Sequence, residues 1–275
     1  MSAPTVKEIT SALNKELQMQ HDISLVFGKL FDYDDIDFQN LLQLSQESIL
    51  LAGTPLAQMY DIFPWLFKCL PGPHNIIFSN YARLIFFLRK EIEKHNRDWD
   101  PFNHRDFVDT YIAEIDKTLD LFEAGTETVT NTLLFALLYM MKYSEKVQDE
   151  IEREIGLSRQ PCLTDKINMP YTEAVIHETL RVANLVPLNL NRMASKDTTL
   201  GGYFIPQGTV LIANLSSVLH DKTEWEKPDM FYPQHFLNEH GHFCKRQAFF
   251  PGSAGKRMCL GEQLAHMELF LFFFL

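Results

Sequence analysis

The chain has 275 residues, 46% of them hydrophobic, which is enough to bury a sizeable core without help from disulfides or metal ions. Its formal net charge of -11 does not suggest the basic face that phosphate binding needs, so the composition argues against nucleic acid as a partner. The four cysteines form no C-x-x-C pair, which argues against a zinc ribbon or a dense disulfide framework and predicts reduced thiols: Cys69, Cys162, Cys244 and Cys259.

The N-terminal half predicts helices. The polar first residues predict neither a signal peptide nor a membrane anchor, and no stretch reaches the roughly 18 consecutive apolar residues of a spanning helix. Apolar residues recur at intervals of three and four over about 22–51, which indicates two helices around the acidic segment FDYDDID. The segment FPWLFKCLPGP breaks helical structure, because two prolines flank Gly72. A long amphipathic helix is predicted over about 76–95, with one apolar side: Leu84, Phe87, Leu88 and Ile92.

The C-terminal half predicts more helices and then short strands. A helix is expected over about 104–141, and Ser144 is expected to cap the next one, EKVQDEIEREIG, which ends at Gly156. YTEAVIHETLRVANL predicts a further helix. TTLGGYFIPQGTVLIANL alternates β-branched runs with Gly and Pro, which is typical of strands and turns. The predicted fold class is mainly α with a small β region, in one domain over 1–275.

The segment PGSAGKRMCLGEQLAHMELF carries the sharpest chemical signal. Gly255, Arg257, Cys259 and Gly261 alternate just before an apolar helix. A thiolate on a tight, glycine-bounded loop can approach a flat metallocofactor, and the N-terminus of the following helix stabilises its negative charge. Arg257 can then meet an anionic group such as a propionate. An isolated cysteine in a turn is ordinarily just buried, but this spacing favours a ligand role.

This segment resembles the haem-binding loop of the cytochrome P450 family, whose pattern is F-x-x-G-x-R-x-C-x-G. The resemblance implies that Cys259 ligates the haem iron, that Arg257 binds a haem propionate, and that Gly255 and Gly261 belong to the haem-binding loop. One position departs, because the family's aromatic residue falls on Gly252. That aromatic residue packs under the thiolate and tunes its hydrogen bonding, so its loss bears on haem affinity and redox tuning.

The segment HETLR places Glu178 and Arg181 three residues apart, on one face of a helix. Such a pair alone is ordinarily a solvated surface ion pair. It resembles the family's E-x-x-R pair, which meets a third residue from a P-x-x-F segment, matched here by Pro233, His235 and Phe236. Many members carry arginine at the position of His235, and histidine occurs in the microsomal family 2 branch. The resemblance implies a structural triad of Glu178, Arg181 and His235.

The segment LFEAGTETVTNTLLFALL places a glycine inside a predicted helix. Glycine there costs about 1 kcal/mol against alanine, so Gly125 beside Ala124 needs a reason, and close approach of a flat ligand is one. The alternating threonines could instead mark a strand, and Thr128 could bond back to its own helix. The segment resembles the family's A-G-x-D/E-T motif. In that motif the acid and the hydroxyl, here Glu127 and Thr128, order water and deliver protons for oxygen activation.

A weaker match is VPLNLNRMA, in which Arg192 fits a second propionate-binding arginine of the family. The family 2 pattern usually has proline at the position of Asn191. A charged side chain among polar residues is also commonly just exposed to solvent. Both interpretations of Arg192 stay open from the sequence.

The resemblance covers about 23–275 and points to microsomal family 2, nearest to its J subfamily. It implies a partial P450 fold, in which the family's membrane anchor, first helices and sheet, and C-terminal strands have no counterpart. The implied activity is insertion of one oxygen atom from O2 into an apolar small molecule, a fatty acid or a xenobiotic. The implied cofactor is haem b, and electrons come from NADPH through a flavoprotein reductase, with cytochrome b5 as a second candidate donor. The implied location is the cytoplasmic face of the endoplasmic reticulum membrane.

Two alternative interpretations of the function remain. The chain could be a truncated, non-catalytic product that does not hold haem productively, and the face of Leu84, Phe87 and Leu88 is then expected to lack part of its packing. A haem-thiolate isomerase is disfavoured, because such enzymes typically lack the acid-threonine pair.

Overall fold

The computed structural model describes residues 36–97, 115–156 and 159–272. These residues form α-helices with short 3-10 turns and two small antiparallel sheets, so the fold class predicted from the sequence is confirmed. The chain divides into two compact units, Met1–Thr130 and Asn131–Leu275, which are described separately below. The first helix expected over 22–51 and the start of the one expected over 104–141 lie outside the described residues.

The described part of the first unit contains four complete helices: α1 (Ile36–Ala52), α2 (Pro55–Ile62), α3 (Pro64–Phe67) and α4 (Pro73–Arg97). Thr54 caps α2, since its side chain accepts a hydrogen bond from the N–H of Ala57. Helices α1 and α4 pack against each other, and Asn80 on α4 donates to the carboxylate of Glu47 on α1 over 3.0 Å.

One expectation for this unit was wrong. The segment FPWLFKCLPGP does not break helical structure throughout, because α3 lies within it. Proline lacks the N–H that the first helical turn leaves unpaired, so Pro64 and Pro73 can each begin a helix. On the apolar side of α4, Leu84 is 1% exposed and Phe87 is half-buried, while the side chain of Leu88 lies outside the described residues, so the expected loss of packing stays a prediction.

Helix α5 (Ile115–Tyr143) crosses the division between the units, and the second unit continues with α6 (Glu145–Glu154), α7 (Pro170–Ala183), α8 (Leu215–Leu219) and α9 (Glu262–Phe272). Ser144 precedes α6 as predicted, but its side chain makes no capping bond. The reason is its helical backbone, because a capping serine normally has an extended one. Helix α6 ends at Glu154, two residues before the predicted Gly156, whose positive φ lets its N–H reach the carbonyl of Ile151.

The strands form two antiparallel pairs. β1 (Arg192–Met193) pairs with β4 (Val210–Leu211), and β2 (Thr198–Leu200) pairs with β3 (Tyr203–Ile205). Gly201 and Gly202 join β2 to β3, and both have positive φ, as a tight two-residue hairpin turn requires. The strands and turns predicted from the Gly- and Pro-punctuated sequence are therefore confirmed.

The core of the second unit surrounds α7, whose residues from Thr172 to Thr179 are all buried. One apolar cluster packs a tryptophan against aromatic and aliphatic side chains: Ala174, Leu219, Trp225, Phe236, Ala248 and Phe249. The indole N–H of Trp225 donates to the carbonyl of Val218 over 2.9 Å, so its polar atom is satisfied. This packing fixes α7 and the residues that it carries.

Candidate functional site

The loop that precedes α9 presents a cysteine thiol to solvent. Gly255 has a φ of +75°, which a glycine adopts without strain, and it opens a single 3-10 turn that ends at Arg257. Cys259 follows, with a free and exposed thiol, and α9 begins at Glu262. The predicted loop just before an apolar helix is thus present. Its cysteine is oriented for a ligand outside the loop rather than for the core.

The backbone around Cys259 is held by local hydrogen bonds. The N–H of Cys259 donates to the carbonyl of Gly252 over 2.8 Å, and the N–H of Met258 donates to the carbonyl of Gly255 over 3.2 Å. A Cβ at position 252 would lie 3.1 Å from the Cβ of Cys259 and 2.9 Å from Oε2 of Glu262. The loop therefore closes around Gly252 so tightly that no side chain fits there without movement of its neighbours.

A second segment lies beside this loop. The side chain of Asn189 donates to the hydroxyl of Ser253 over 2.9 Å, and Nη2 of Arg192 lies 3.4 Å from the carbonyl oxygen of Arg257. Arg192 is partly exposed, and Arg257 is exposed. The structure therefore brings the side chain of Arg192 to the backbone of Arg257, on the loop that carries Cys259.

The residues around the thiol fit a flat, apolar group with anionic edges. Leu260, next to Cys259, is 102% exposed, and Leu190 and Met193, on either side of Arg192, are each 65% exposed. Apolar side chains so exposed beside two guanidinium groups suit a porphyrin with two propionates. The thiol and the two arginines are groups that could hold a haem, and the exposed apolar side chains could contact its ring.

Glu178 and Arg181 are not a surface pair. Both side chains are fully buried, and the guanidinium forms two hydrogen bonds to the carboxylate, of 2.9 Å from Nε to Oε2 and 2.7 Å from Nη2 to Oε1. His235 completes the arrangement, with Nδ1 3.2 Å from Oε2 of Glu178. The N–H of Lys227 points at Nε2 of His235, so Nε2 accepts and Nδ1 carries the proton that bonds Glu178. The predicted third partner is therefore in contact with the pair.

The rest of the Arg181 guanidinium binds backbone, which sequence reasoning did not foresee. Nη1 donates to the carbonyls of Leu219 and Pro228, and Nη2 donates to the carbonyl of Met230. The N–H of Tyr232 in turn donates to Glu178. The buried pair thereby ties α7 to the chain over 219–232. The helical spacing of the two residues shows only that they share a helix face. It does not show that this face is buried, so the contacts with the backbone could not be predicted from it.

Another residue that the sequence did not single out is Glu150 on α6. Its buried carboxylate accepts hydrogen bonds from the N–H of Tyr171, at 3.1 Å, and from the N–H and hydroxyl of Thr172, both at 2.7 Å. These groups lie at the N-terminus of α7, where backbone N–H groups lack helical partners. Glu150 therefore caps α7 from a different helix, a role without a local sequence signature.

The segment with the acid and the threonine is helical, so the strand alternative was wrong. The hydroxyl of Thr128 donates to the carbonyl of Ala124 over 2.6 Å, which is the bond back to its own helix that the sequence left open. A Cβ on Gly125 would meet no described atom within 4 Å, so space is open beside this helix. Glu127 is partly exposed. These residues belong to the first unit and Cys259 to the second, so their joint role stays a prediction.

Comparison with known proteins decides the family. The family model for cytochrome P450 matches residues 19–275. The chain belongs to the cytochrome P450 family. It is 49% identical to human cytochrome P450 2J2 over 270 residues, covering 91% of this chain and 54% of the relative. Rabbit cytochrome P450 2J1 and mouse cytochrome P450 2J5 are 46% and 47% identical over 269 residues, with the same shares covered.

These relatives confirm the predicted membership of family 2, with similarity to its J subfamily. The P450 chain spans about half the length of the curated relatives that it matches. Within the described ranges, no helix of this P450 combines the length and apolar character that a membrane span needs.

Proposed function

We propose that this P450 acts as a haem-thiolate monooxygenase, which inserts one oxygen atom from O2 into an apolar small molecule. The observation that carries the proposal is the exposed thiol of Cys259 on a glycine-bounded loop, with Arg192 beside Arg257. Haem b, when bound, supplies the activation of O2. The proposed substrates are fatty acids or xenobiotics.

In this proposal each residue has a distinct task. Cys259, as thiolate, holds the iron, and Arg257 and Arg192 bind the propionates. Ala124 and Gly125 leave room for the flat face of the cofactor, and Glu127 and Thr128 order water and supply protons.

The buried cluster of Glu178, Arg181 and His235 is proposed to keep the scaffold rigid, because its hydrogen bonds join α7 to the chain over 219–236. Among the described residues, none of the hydrogen bonds of this cluster reaches the thiol loop over 252–261. Its contribution to activity is therefore positional.

The electron source in this proposal is NADPH, through a flavoprotein reductase at the cytoplasmic face of the endoplasmic reticulum membrane, with cytochrome b5 as a second candidate donor. Two exposed lysines lie on or near the thiol loop: Lys256, and Lys245, whose Nζ lies 3.6 Å from Oε1 of Glu262. A basic surface favours docking of an acidic protein surface and speeds the encounter. The net charge of -11 makes this local basic surface distinct from the rest of the chain.

The thiolate assignment is tested by the carbonyl spectrum of the reduced, haem-loaded protein. Thiolate ligation would shift the Soret band of the carbonyl complex to longer wavelength, and we expect Cys259→Ala to abolish that shifted band. Cys69→Ala, Cys162→Ala and Cys244→Ala are matched controls, because these thiols are also exposed and free. An unchanged band in Cys259→Ala, or its loss in any control, contradicts the assignment.

A further inference from the structure

A second group of potential ligands lies in the second unit, apart from the residues assigned to haem. Glu173 and His177 lie four residues apart on α7, and His266 lies on α9, which packs against α7. One ligand atom from each of the three side chains lies within 4.8 Å of the other two. We propose that Glu173, His177 and His266 form a binding site for a divalent transition-metal ion such as Zn2+.

Two polar atoms of this cluster are buried without a hydrogen bond. Within the described part of the chain, neither Oε2 of Glu173 nor Nδ1 of His266 has a partner. Glu173 is 94% buried by its relative exposure of 6%. A buried polar atom that lacks a partner destabilises the fold, and coordination of a cation would satisfy both atoms at once.

The chemistry of the three side chains suits zinc. Two imidazoles and one carboxylate are an established zinc donor set, with a fourth position for water. Nδ1 of His177 lies 2.9 Å from the carbonyl oxygen of Glu173, the kind of secondary contact that fixes the ring of a ligating histidine. Burial lowers the pKa of His177 and lowers that of His266 to about 4, so both imidazoles are neutral and can coordinate at pH 7.

Closing the site needs a small movement. Ligand atoms around a tetrahedral zinc lie about 3.4 Å apart, so separations of up to 4.8 Å must shorten by up to about 1.4 Å. The rings of His177 and His266 are stacked, with centroids 4.7 Å apart and planes at 28°. His266 is only partly buried, so its ring can rotate until the lone pair of Nδ1 points toward the carboxylate.

A lysine competes for the carboxylate. Nζ of Lys166 lies 3.0 Å from Oε1 of Glu173, which leaves Oε2 for the metal. Lys166 is 31% exposed and can turn to solvent. Because its charge repels a cation, removal of Lys166 should strengthen metal binding, an effect that misfolding cannot imitate.

The test is titration of the purified 275-residue chain with Zn2+ and, separately, with Co2+. We expect one Co2+ per chain, with the visible bands of tetrahedral coordination and without the charge-transfer band of a thiolate ligand. Glu173→Gln and His266→Gln should each weaken Zn2+ binding at least about tenfold, the lower range for loss of a metal-site contact. Lys166→Gln should tighten it. His242→Gln, at an exposed histidine outside the cluster, should leave it unchanged.

The proposal is overturned if the wild-type chain binds no stoichiometric Co2+, or if its Co2+ spectrum shows thiolate ligation. It is also overturned if Lys166→Gln and His266→Gln both bind Zn2+ as the wild-type chain does. None of these readouts depends on haem, so failure here is distinct from failure of the monooxygenase proposal.

Discussion

The backbone N–H of Cys259 donates to the carbonyl oxygen of Gly252, over 2.8 Å, at the position where family members carry an aromatic side chain. This bond holds the Cβ of Cys259 so close that a Cβ on Gly252 would lie 3.1 Å from it. The other near neighbour, Oε2 of Glu262, is the end of a flexible side chain and can move aside. The Cβ of Cys259, which the backbone bond holds in place, is therefore the atom that resists a side chain at position 252.

From this geometry we expect Gly252→Ala to lower the free energy of unfolding by about 1 kcal/mol, the lower range for overpacking. The loss should persist in a Glu262→Ala background, because the cysteine and not the glutamate resists. A double-mutant cycle in urea measures this. A loss that vanishes when Glu262 is truncated would assign the conflict to the glutamate instead.

The buried pair of Glu178 and Arg181 on α7 should contribute far more to the free energy of unfolding than an exposed pair of the same kind. We expect Arg181→Met to lower the free energy of unfolding by about 3–5 kcal/mol, since it leaves the Glu178 carboxylate buried without its charge partner. Arg153→Met is the matched control. Arg153 is 60% exposed and lies 2.8 Å from Glu154, so its loss should change the free energy of unfolding far less than the loss of Arg181.

The fluorescence of the buried Trp225 reports the unfolding of the second unit in these variants, after Trp65 and Trp99 are replaced by phenylalanine. Equal losses for Arg181→Met and Arg153→Met would contradict a structural role for the buried pair.

Local sequence patterns predicted the helices and strands of this fold. They did not predict the contacts between segments that lie far apart in the sequence. The apolar period of α4 and the adjacent glycines of the β2–β3 turn are properties of a few neighbouring residues, so the sequence is sufficient for them. The burial of Glu178 depends on the chain over 219–236, which no local period reveals.

In the candidate site, too, the residues that are close in sequence were predicted and the contacts between distant segments were not. The sequence spacing was sufficient to identify Cys259 and Arg257 as candidate site residues, because Gly255 and Gly261, which bound their loop, lie within a few residues of them. The meeting of Arg192 with that loop required two segments to pack together. The Glu173, His177 and His266 cluster joins two helices, so only its first two members share a spacing that the sequence displays.

The cap that Glu150 provides should contribute measurably to stability. We expect Glu150→Ala to lower the free energy of unfolding by about 1–3 kcal/mol, because two N–H groups of α7 lose their acceptor. Thr172→Val, which removes only the hydroxyl bond to Glu150, should cost about 1 kcal/mol. Trp225 fluorescence in urea measures both. A smaller loss for Glu150→Ala than for Thr172→Val would show that the backbone bonds contribute little.

Acid should destabilise the second unit through its buried histidines. Burial, aided by the charges of Lys166 and Lys245, lowers the pKa of His266 from 6.5 to about 4. The unfolded chain therefore binds more protons than the folded chain in this window, and the free energy of unfolding falls as the pH drops from about 6.5 to about 4. The loss from His266 alone approaches about 3 kcal/mol. His177, whose pKa burial also lowers, adds to it.

Glu173 acts in the opposite direction, because burial raises its pKa and the folded chain takes up that proton before the unfolded chain does. We expect His266→Gln to make the fall in stability between pH 6.5 and 4 shallower, measured by urea unfolding at several pH values. His242→Gln, at an exposed histidine, should keep the wild-type slope. An equal slope in His266→Gln would show that His266 does not titrate in this window.

Thr128 provides the sharpest test of the proposed proton supply. In protein loaded with haem and supplied with NADPH and reductase, we expect Thr128→Ala to leave the carbonyl spectrum intact. The ratio of product to NADPH consumed should fall severalfold and peroxide should rise, because the hydroxyl that orders water is lost. Alanine is the better helix former, so loss of the bond to Ala124 should not unfold the helix. Thr128→Ser keeps the hydroxyl and should keep most of the coupling. Unaltered coupling in Thr128→Ala would remove this threonine from oxygen activation, whatever the role of Cys259.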